Sequence, residues 1–384
     1  MLPDSKIRNN REEFLAFIAT LPAFSPRQIF KILGERGYCG QEKPRRIVSL
    51  MAYRHVKRLK QIYLHGILRE QLPPKQNSLC IGPTGCGKTY LVELLFEHIL
   101  RLPTVIVDIT SYSETGYVGQ DVSSLLTNLL YTRQANMNPL IASVGVICLD
   151  EFDKLAASTS AARFAGQGTT KDVSGFGVQR ELLKMLEGGE VTIPLDFGLS
   201  TYGSRAVIST RDIPFLACGA FSSIAEISRR RAGGSIGFRR KGAGVRVEDK
   251  IAIALEDSEV EDVANFQQYG FLPELMGRFT TVVNFAPLDV GTLRIILERN
   301  VIGQFKSEFA DEGLELIIAE EVIEAIVRGA LQKETGARGL NALLTKHLEE
   351  AAFEAFGAPS ANPARGEVRL ELQGDEIVTR VVKE

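Results

Sequence analysis

None of the five cysteines (Cys39, Cys80, Cys86, Cys148, Cys218) belongs to a CxxC pair. Without such spacing there is no zinc site or disulfide framework to read, and no zinc is expected. Reduced, mostly buried thiols of a cytosolic protein are expected instead. A charge excess is missing too. Lys and Arg number 45 against 47 Asp and Glu, for a formal net charge of −2. No global surplus of cations is present to neutralise nucleic-acid phosphates, which argues against a general nucleic-acid binder and leaves only a local patch open. Long apolar runs are also absent. The longest, Leu140–Leu149, is too short to span a bilayer and ends at a carboxylate pair. The apolar patch Phe14–Phe24 follows Arg11, Glu12 and Glu13 and lacks the ordered regions of a signal peptide. A soluble, cytoplasmic protein with no membrane partner and no specific nucleic acid is expected.

What is present fits a folded chain of two domains: 384 residues, 45% of them hydrophobic. Residues 1–24 read as a short polar extension with one helix. Residues 25–288 read as a large α/β domain, and residues 289–384 as a smaller, mainly helical one. Ser25-Pro26 opens a helical pattern at Ile29, Ile32 and Leu33. Pro44–Leu64 is basic and amphipathic, its charges read as a solvated face. Compact apolar runs at Ser78–Ile81, Thr104–Ile109, Val144–Leu149, Ile213–Cys218 and Thr281–Phe285 alternate with helical patterns. That alternation implies a parallel sheet covered on both faces. Ala156–Thr170 and Ala232–Gly244 read as loops. After Pro287 the stretches Leu293–Phe309, Glu320–Leu331 and Gly339–Phe356 are helical, and Val368–Val382 alternates like a small hairpin.

Gly82-Pro83-Thr84-Gly85-Cys86-Gly87-Lys88-Thr89 fits GxxxxGK[ST]. Glycines at that spacing let the backbone wrap phosphate oxygens and aim its N–H groups inward. The helix that begins near Lys88 adds its positive end. Lys88 is the residue to reach the β/γ-phosphates, and Thr89 the one to hold Mg²⁺. Tyr90 follows directly and joins the nucleotide-binding set. Val146–Leu149 is an apolar strand that ends at Asp150 and Glu151. A carboxylate at a strand's carboxyl end suits a second Mg²⁺ contact, and its neighbour can orient and deprotonate the attacking water. Arg278 and Arg338 are candidate phosphate-sensing arginines, and spacing alone does not distinguish either from a surface arginine. Gly116-Tyr117-Val118-Gly119 reads either as a mobile loop tip with a sticky side chain or as a turn with a core tyrosine.

Together these motifs resemble the ClpX family of AAA+ unfoldases over residues 25–350. The phosphate loop is similar to the family's Walker A and Leu149–Lys154 to its Walker B. Asp108, Thr110 and Glu114 precede Gly116–Val122 as in the family, and Lys171–Gln179 resembles its second pore loop. Gly270–Phe279 is similar to its arginine-finger segment, and Thr335–Leu340 to the start of its sensor-2 helix. The resemblance implies an ATP-hydrolysing homohexameric ring that uses Mg²⁺ and threads unfolded or tagged proteins. Arg278 would reach the neighbouring site, and Arg338 would sense nucleotide in its own. Tyr117 and Val118 would line the pore. Ile236-Gly237-Phe238 matches the loop with which the family docks on a ClpP-like peptidase. A stand-alone remodeller and a nucleotide-dependent scaffold remain the alternative readings.

The chain also departs from the family. Residues 1–24 contain no cysteine to match a four-cysteine zinc domain. Tyr38-Cys39-Gly40-Gln41 replaces the aliphatic pair that meets adenine. Leu199–Arg211 keeps only scattered basic residues, and Cys218 leaves sensor 1 unassigned.

Overall fold

The computed structural model describes residues 4–113, 120–156, 175–194, 205–232, 255–333, 335–356, 366–374 and 376–383. Within them the strands are β1 (Ser78–Ile81), β2 (Thr104–Asp108), β3 (Tyr112–Ser113), β4 (Gln120–Asp121), β5 (Val146–Asp150), β6 (Glu190–Pro194), β7 (Arg205–Ser209), β8 (Phe215–Gly219), β9 (Thr281–Asn284), β10 (Leu314–Ile318), β11 (Gly366–Gln373) and β12 (Glu376–Lys383).

The central sheet has the order β2-β5-β8-β1-β9, and every pairing in it is parallel. β1 and β8 are buried along their whole length, the burial expected of strands covered on both faces. Because all five strands run the same way, their carboxyl ends share one edge. Ile81, Asp108, Asp150, Gly219 and Asn284 lie there. Ser78, Thr104, Val146, Phe215 and Thr281 begin the strands at the opposite edge. Open α/β sheets bind ligands outside the carboxyl ends.

The helix Asp4–Thr20 is not a polar extension. Phe14, Ile18 and Leu21 recur at helical spacing and are buried in the same core as the sheet. Phe14 meets Tyr63 edge-on, with ring centroids 4.7 Å apart. Asn138 Nδ2 donates to Asn10 O at 2.9 Å, and Lys60 Nζ to Leu21 O at 2.6 Å. The basic face of the helix Glu42–Tyr63 is solvated only in part. Arg54 and Lys57 are exposed, but Arg45 lies 3.7 Å over the Phe30 ring and Arg58 turns toward buried Asp212.

A second core begins where the first ends, with Leu288 touching both. It packs the helices Val290–Ile296, Gly303–Asp311, Glu320–Gln332 and Gly336–Ala355 against the sheet β10-β11-β12. The antiparallel pair β11–β12 is the expected hairpin. Strand β10, parallel to β11, was not expected: its five residues lie between two helices and find their partner far along the chain. The antiparallel pair β6–β7 was likewise not anticipated. Among the described residues, no helix is long and apolar enough to cross a membrane.

Candidate active site

The phosphate loop leaves the carboxyl end of β1 and runs into the helix at Lys88, which continues to Ile99 in π geometry. Gly85 has φ +74°, and a Cβ there would stand 2.2 Å from Thr335 O, so glycine is required for conformation and for contact. Lys88 is buried. Its ammonium curls back and donates to Gly82 O at 2.7 Å and Pro83 O at 2.8 Å. Thr89 Oγ1 donates to Asp150 Oδ2 at 2.9 Å. The hydroxyl and the carboxylate come from different elements and converge because β5 lies in the same sheet as β1, with β8 between them.

Asp150 ends β5 and accepts from the Glu151 N–H through Oδ1 at 3.0 Å. Glu151 has φ +56°, a left-handed conformation rare for a side chain with a Cβ. This tight turn presents Glu151 to the same cavity as Lys88 and Asp150. Asp153, buried just beyond, accepts from the Ala220 N–H at 3.1 Å and so ties the turn to the end of β8. No side chain with polar chemistry follows Cys218 at that point; Gly219 and Ala220 line the cavity instead.

The cavity measures about 280 Å³ and draws on both cores, since Leu288, Ile296, Asn300, Ala337 and Arg338 also line it. Tyr38 is buried on its wall. Burial holds its phenol well above the usual range, so it stays a donor, and it reaches Gly87 O at 3.2 Å. Its ring stacks on Tyr90, with centroids 6.0 Å apart. Gln41 Nε2 donates to Ala286 O at 2.6 Å and its Oε1 accepts from the Ala286 N–H at 3.2 Å, which fastens the segment after β9 beside the loop. The Ala337 N–H donates to Gly85 O at 3.1 Å, and Arg338 Nη2 lies 4.0 Å from Asp150 Oδ2 while 66% of that side chain stays exposed. Asn300 and Gly219 were not found from the sequence. Tyr38 was noted there only as a departure from an aliphatic pair.

Four of the five cysteines are buried and all are free. Bonding to Cys218 and burial push the Cys80 and Cys148 thiols well above their ordinary value. Cys80, Cys148 and Cys218 pack in the main core, while Cys86 also lines the cavity.

The residues fit a nucleotide with Mg²⁺. Thr89 and Asp150 offer two hard oxygen donors side by side, the donor set Mg²⁺ takes with phosphates and water. Lys88 already donates to two carbonyls that phosphate oxygens would replace. No group of three or more His, Cys, Asp or Glu able to hold a metal occurs among the described residues.

Arg278 is not brought to this cavity. It precedes β9, at the amino edge, where Asn77 Nδ2 donates to its carbonyl at 3.1 Å and its own Nη2 donates to Glu187 Oε1 at 2.5 Å. Tyr117, Val118 and Ile236, Gly237, Phe238 lie outside the described residues.

Comparison with known proteins agrees with this geometry. The AAA domain (Cdc48 subfamily) matches residues 73–282, and the C-terminal, D2-small domain of ClpB protein matches residues 288–366. The ATP-dependent Clp protease ATP-binding subunit ClpX of Azotobacter vinelandii is 36% identical over 357 residues, which cover 90% of this chain and 78% of that one. ClpX 3 of Methylococcus capsulatus is 35% identical over 330 residues, 82% of this chain and 73% of the relative. The chain belongs to the ClpX family of AAA ATPases. As a ClpX-family ATPase it binds and hydrolyses ATP, and its α/β sheet with a smaller helical unit is the AAA+ fold.

Proposed function

We propose that this ClpX-family chain is an ATP-dependent protein unfoldase. In this reading it assembles as a homohexameric ring, threads unfolded or tagged polypeptides through the axial pore, and feeds a ClpP-like peptidase. The observation that carries the reading is the separation of Arg278 from Lys88. A strand of four residues, roughly 13 Å of chain, lies between the two edges of the sheet. An arginine that does not line its own chain's cavity is placed to serve the γ-phosphate of another copy.

Within one site Lys88 leaves the Gly82 and Pro83 carbonyls for the β/γ-phosphates, and Gly82–Gly87 cradle the chain of phosphates. Thr89 and Asp150 would hold Mg²⁺, which when bound would supply charge neutralisation on the phosphoryl oxygens. Glu151 orients the attacking water and accepts its proton. Arg278 of the adjoining copy meets charge that spreads onto the equatorial oxygens. Arg338 opens the last long helix beside Asp150 and would report the nucleotide to the second core. Tyr117 and Val118 grip substrate without sequence-specific bonds. Ile236, Gly237 and Phe238 dock apolar side chains on the peptidase. The names of the relatives, subunits of a Clp protease, support that last step.

The test is ATP-dependent capture of a ClpP ring by the Glu151→Gln protein, with and without Ile236–Phe238. Capture that needs both ATP and the loop supports the protease-coupled unfoldase. No capture, with ATP turnover intact in the parent, overturns the peptidase step in favour of a stand-alone remodeller.

A further inference from the structure

The pair Arg278–Glu187 is unexplained by the nucleotide cavity, and both members are half exposed. A surface ion pair of that kind adds little stability. Its geometry is more informative. Glu187 is the last residue of the helix Phe176–Glu187, and Gly188 follows with φ +89°. That helix packs on Pro273–Met276, the short helix that leads into Arg278.

The helix is pinned near its start by Gln179, which is fully buried. Gln179 Nε2 donates to Leu155 O at 3.0 Å and to Gly270 O at 3.1 Å, and its Oε1 accepts from the Leu272 N–H at 2.8 Å. One amide therefore ties together the helix, the turn that follows Glu151 and the segment that leads to Arg278. Phe152 strengthens the same joint. Its ring stacks on Phe271 at 5.1 Å and meets Phe279 edge-on at 5.4 Å, so the residue after Glu151 is clamped to both flanks of Arg278.

We infer that Glu187 is a positioning residue for ATP hydrolysis: its carboxylate aims the Arg278 guanidinium outward, toward the phosphates of an adjoining copy. The inference rests on the reading of Arg278 given above. The backbone of Arg278 is fixed by Asn77 and by the clamp. Its long side chain is not, and Glu187 selects one direction for it. The guanidinium has five N–H donors in a planar fork, so a carboxylate on Nη2 leaves donors for phosphate oxygens. Misdirecting such a group lowers turnover without touching nucleotide binding, because Lys88, Thr89 and Asp150 lie at the other edge.

The test compares steady-state ATP turnover of the full chain carrying Glu187→Ala, Glu187→Gln, Arg278→Ala, or Glu187→Ala with Arg278→Ala. Glu187→Ala should lower kcat about ten-fold with KM within two-fold of the parent. Glu187→Gln should keep more activity, since its amide oxygen still accepts. Glu187→Ala should add nothing to Arg278→Ala, because the two act as one unit. A purely structural carboxylate would lower the melting temperature and leave kcat of the folded protein alone; that result overturns the inference. So does a double variant whose loss is the product of the two single losses. If Arg278→Ala stops turnover and Glu187→Ala leaves kcat at the parent value, only the positioning role fails. If Arg278→Ala turns over normally, the reading of Arg278 fails and takes this inference with it.

Discussion

The two edges of the central sheet are built from the same five strands and solve opposite problems. At the amino edge polar side chains bond inward. Asp212, almost wholly buried, accepts from Tyr63 Oη at 2.7 Å and Arg69 Nη2 at 2.7 Å, with Arg58 Nε at 3.6 Å. Burial alone would push the Asp212 carboxyl up; the bonds from Arg69 and Tyr63 outweigh it and hold the carboxyl below its ordinary value. Lys75 Nζ donates to Thr210 O and Ile213 O, and burial pushes its ammonium down to about 8. At the carboxyl edge the backbone takes left-handed turns at Gly85, Gly87 and Glu151, and Lys88 is satisfied by carbonyls of its own loop. At the amino edge the charged groups Asp212 and Lys75 are held by parts of the fold distant in sequence. At the carboxyl edge Lys88 is held by carbonyls of its own loop, which a ligand can displace. The same sheet thus carries a brace and a site, and strand direction decides which is which.

Substitutions at the two edges should separate turnover from stability. Glu151→Gln should give the largest effect, a fall in ATP turnover on the order of 10³-fold with nucleotide binding retained; a coupled ATPase assay and a fluorescent-nucleotide titration check both halves. Asp212→Ala should leave Arg69 and Tyr63 around an empty position and destabilise the protein by about 3 kcal/mol. Urea unfolding measures that loss, and KM for ATP in the folded protein should not move.

The third effect is pH dependence at the amino edge. His55 is buried with Nε2 3.3 Å from Val144 O, and burial pushes its imidazole down to about 4. The unfolded chain takes up the proton first, near its ordinary value of about 6.5. The contribution of His55 is therefore complete above that value and is lost as pH falls toward 4. Between pH 7 and pH 5 this should remove about 2 kcal/mol from the parent and not from His55→Gln. Equal losses in both proteins would show that His55 is not the group responsible. The smallest effect is at the carboxyl edge. Tyr38→Phe removes one hydrogen bond to Gly87 O and should raise KM for ATP about five-fold, on the order of 1 kcal/mol, with kcat nearly unchanged.

The sequence spoke most clearly where a residue's role depends on its immediate neighbours. β1, the glycines after it, and Asp150-Glu151 at the end of β5 are local patterns of period, glycine and charge, and the structure has those elements at those residues. Asn300, whose Nδ2 donates to Gly37 O across 263 positions, leaves no local trace. The Arg278–Glu187 pair spans 91 positions and is equally silent. The helix Asp4–Thr20 was misjudged because its many charged and polar residues outweigh Phe14, Ile18 and Leu21, which find their partners on Tyr63 and the main core. β10 was missed for a related reason: it lies between two helical patterns, and the partner that makes it a strand, β11, lies far along the chain. The basic helix was read as solvated because Asp212, the partner of Arg58, lies 154 residues further along, beyond the reach of any window (58 to 212).

The central claim is that an ATP site is completed by Arg278 of another copy, and subunit mixing tests it most directly. Glu151→Gln protein supplies Arg278 but cannot activate water. Arg278→Ala protein keeps Glu151 but offers its neighbour no guanidinium. Each alone should be nearly inactive. Mixed and reassembled with ATP, they should hydrolyse it well above the weighted mean of the separate proteins, because an Arg278→Ala site now receives an arginine from its Glu151→Gln neighbour. A mixture that stays at that mean, with co-assembly shown by cross-linking, would contradict the account.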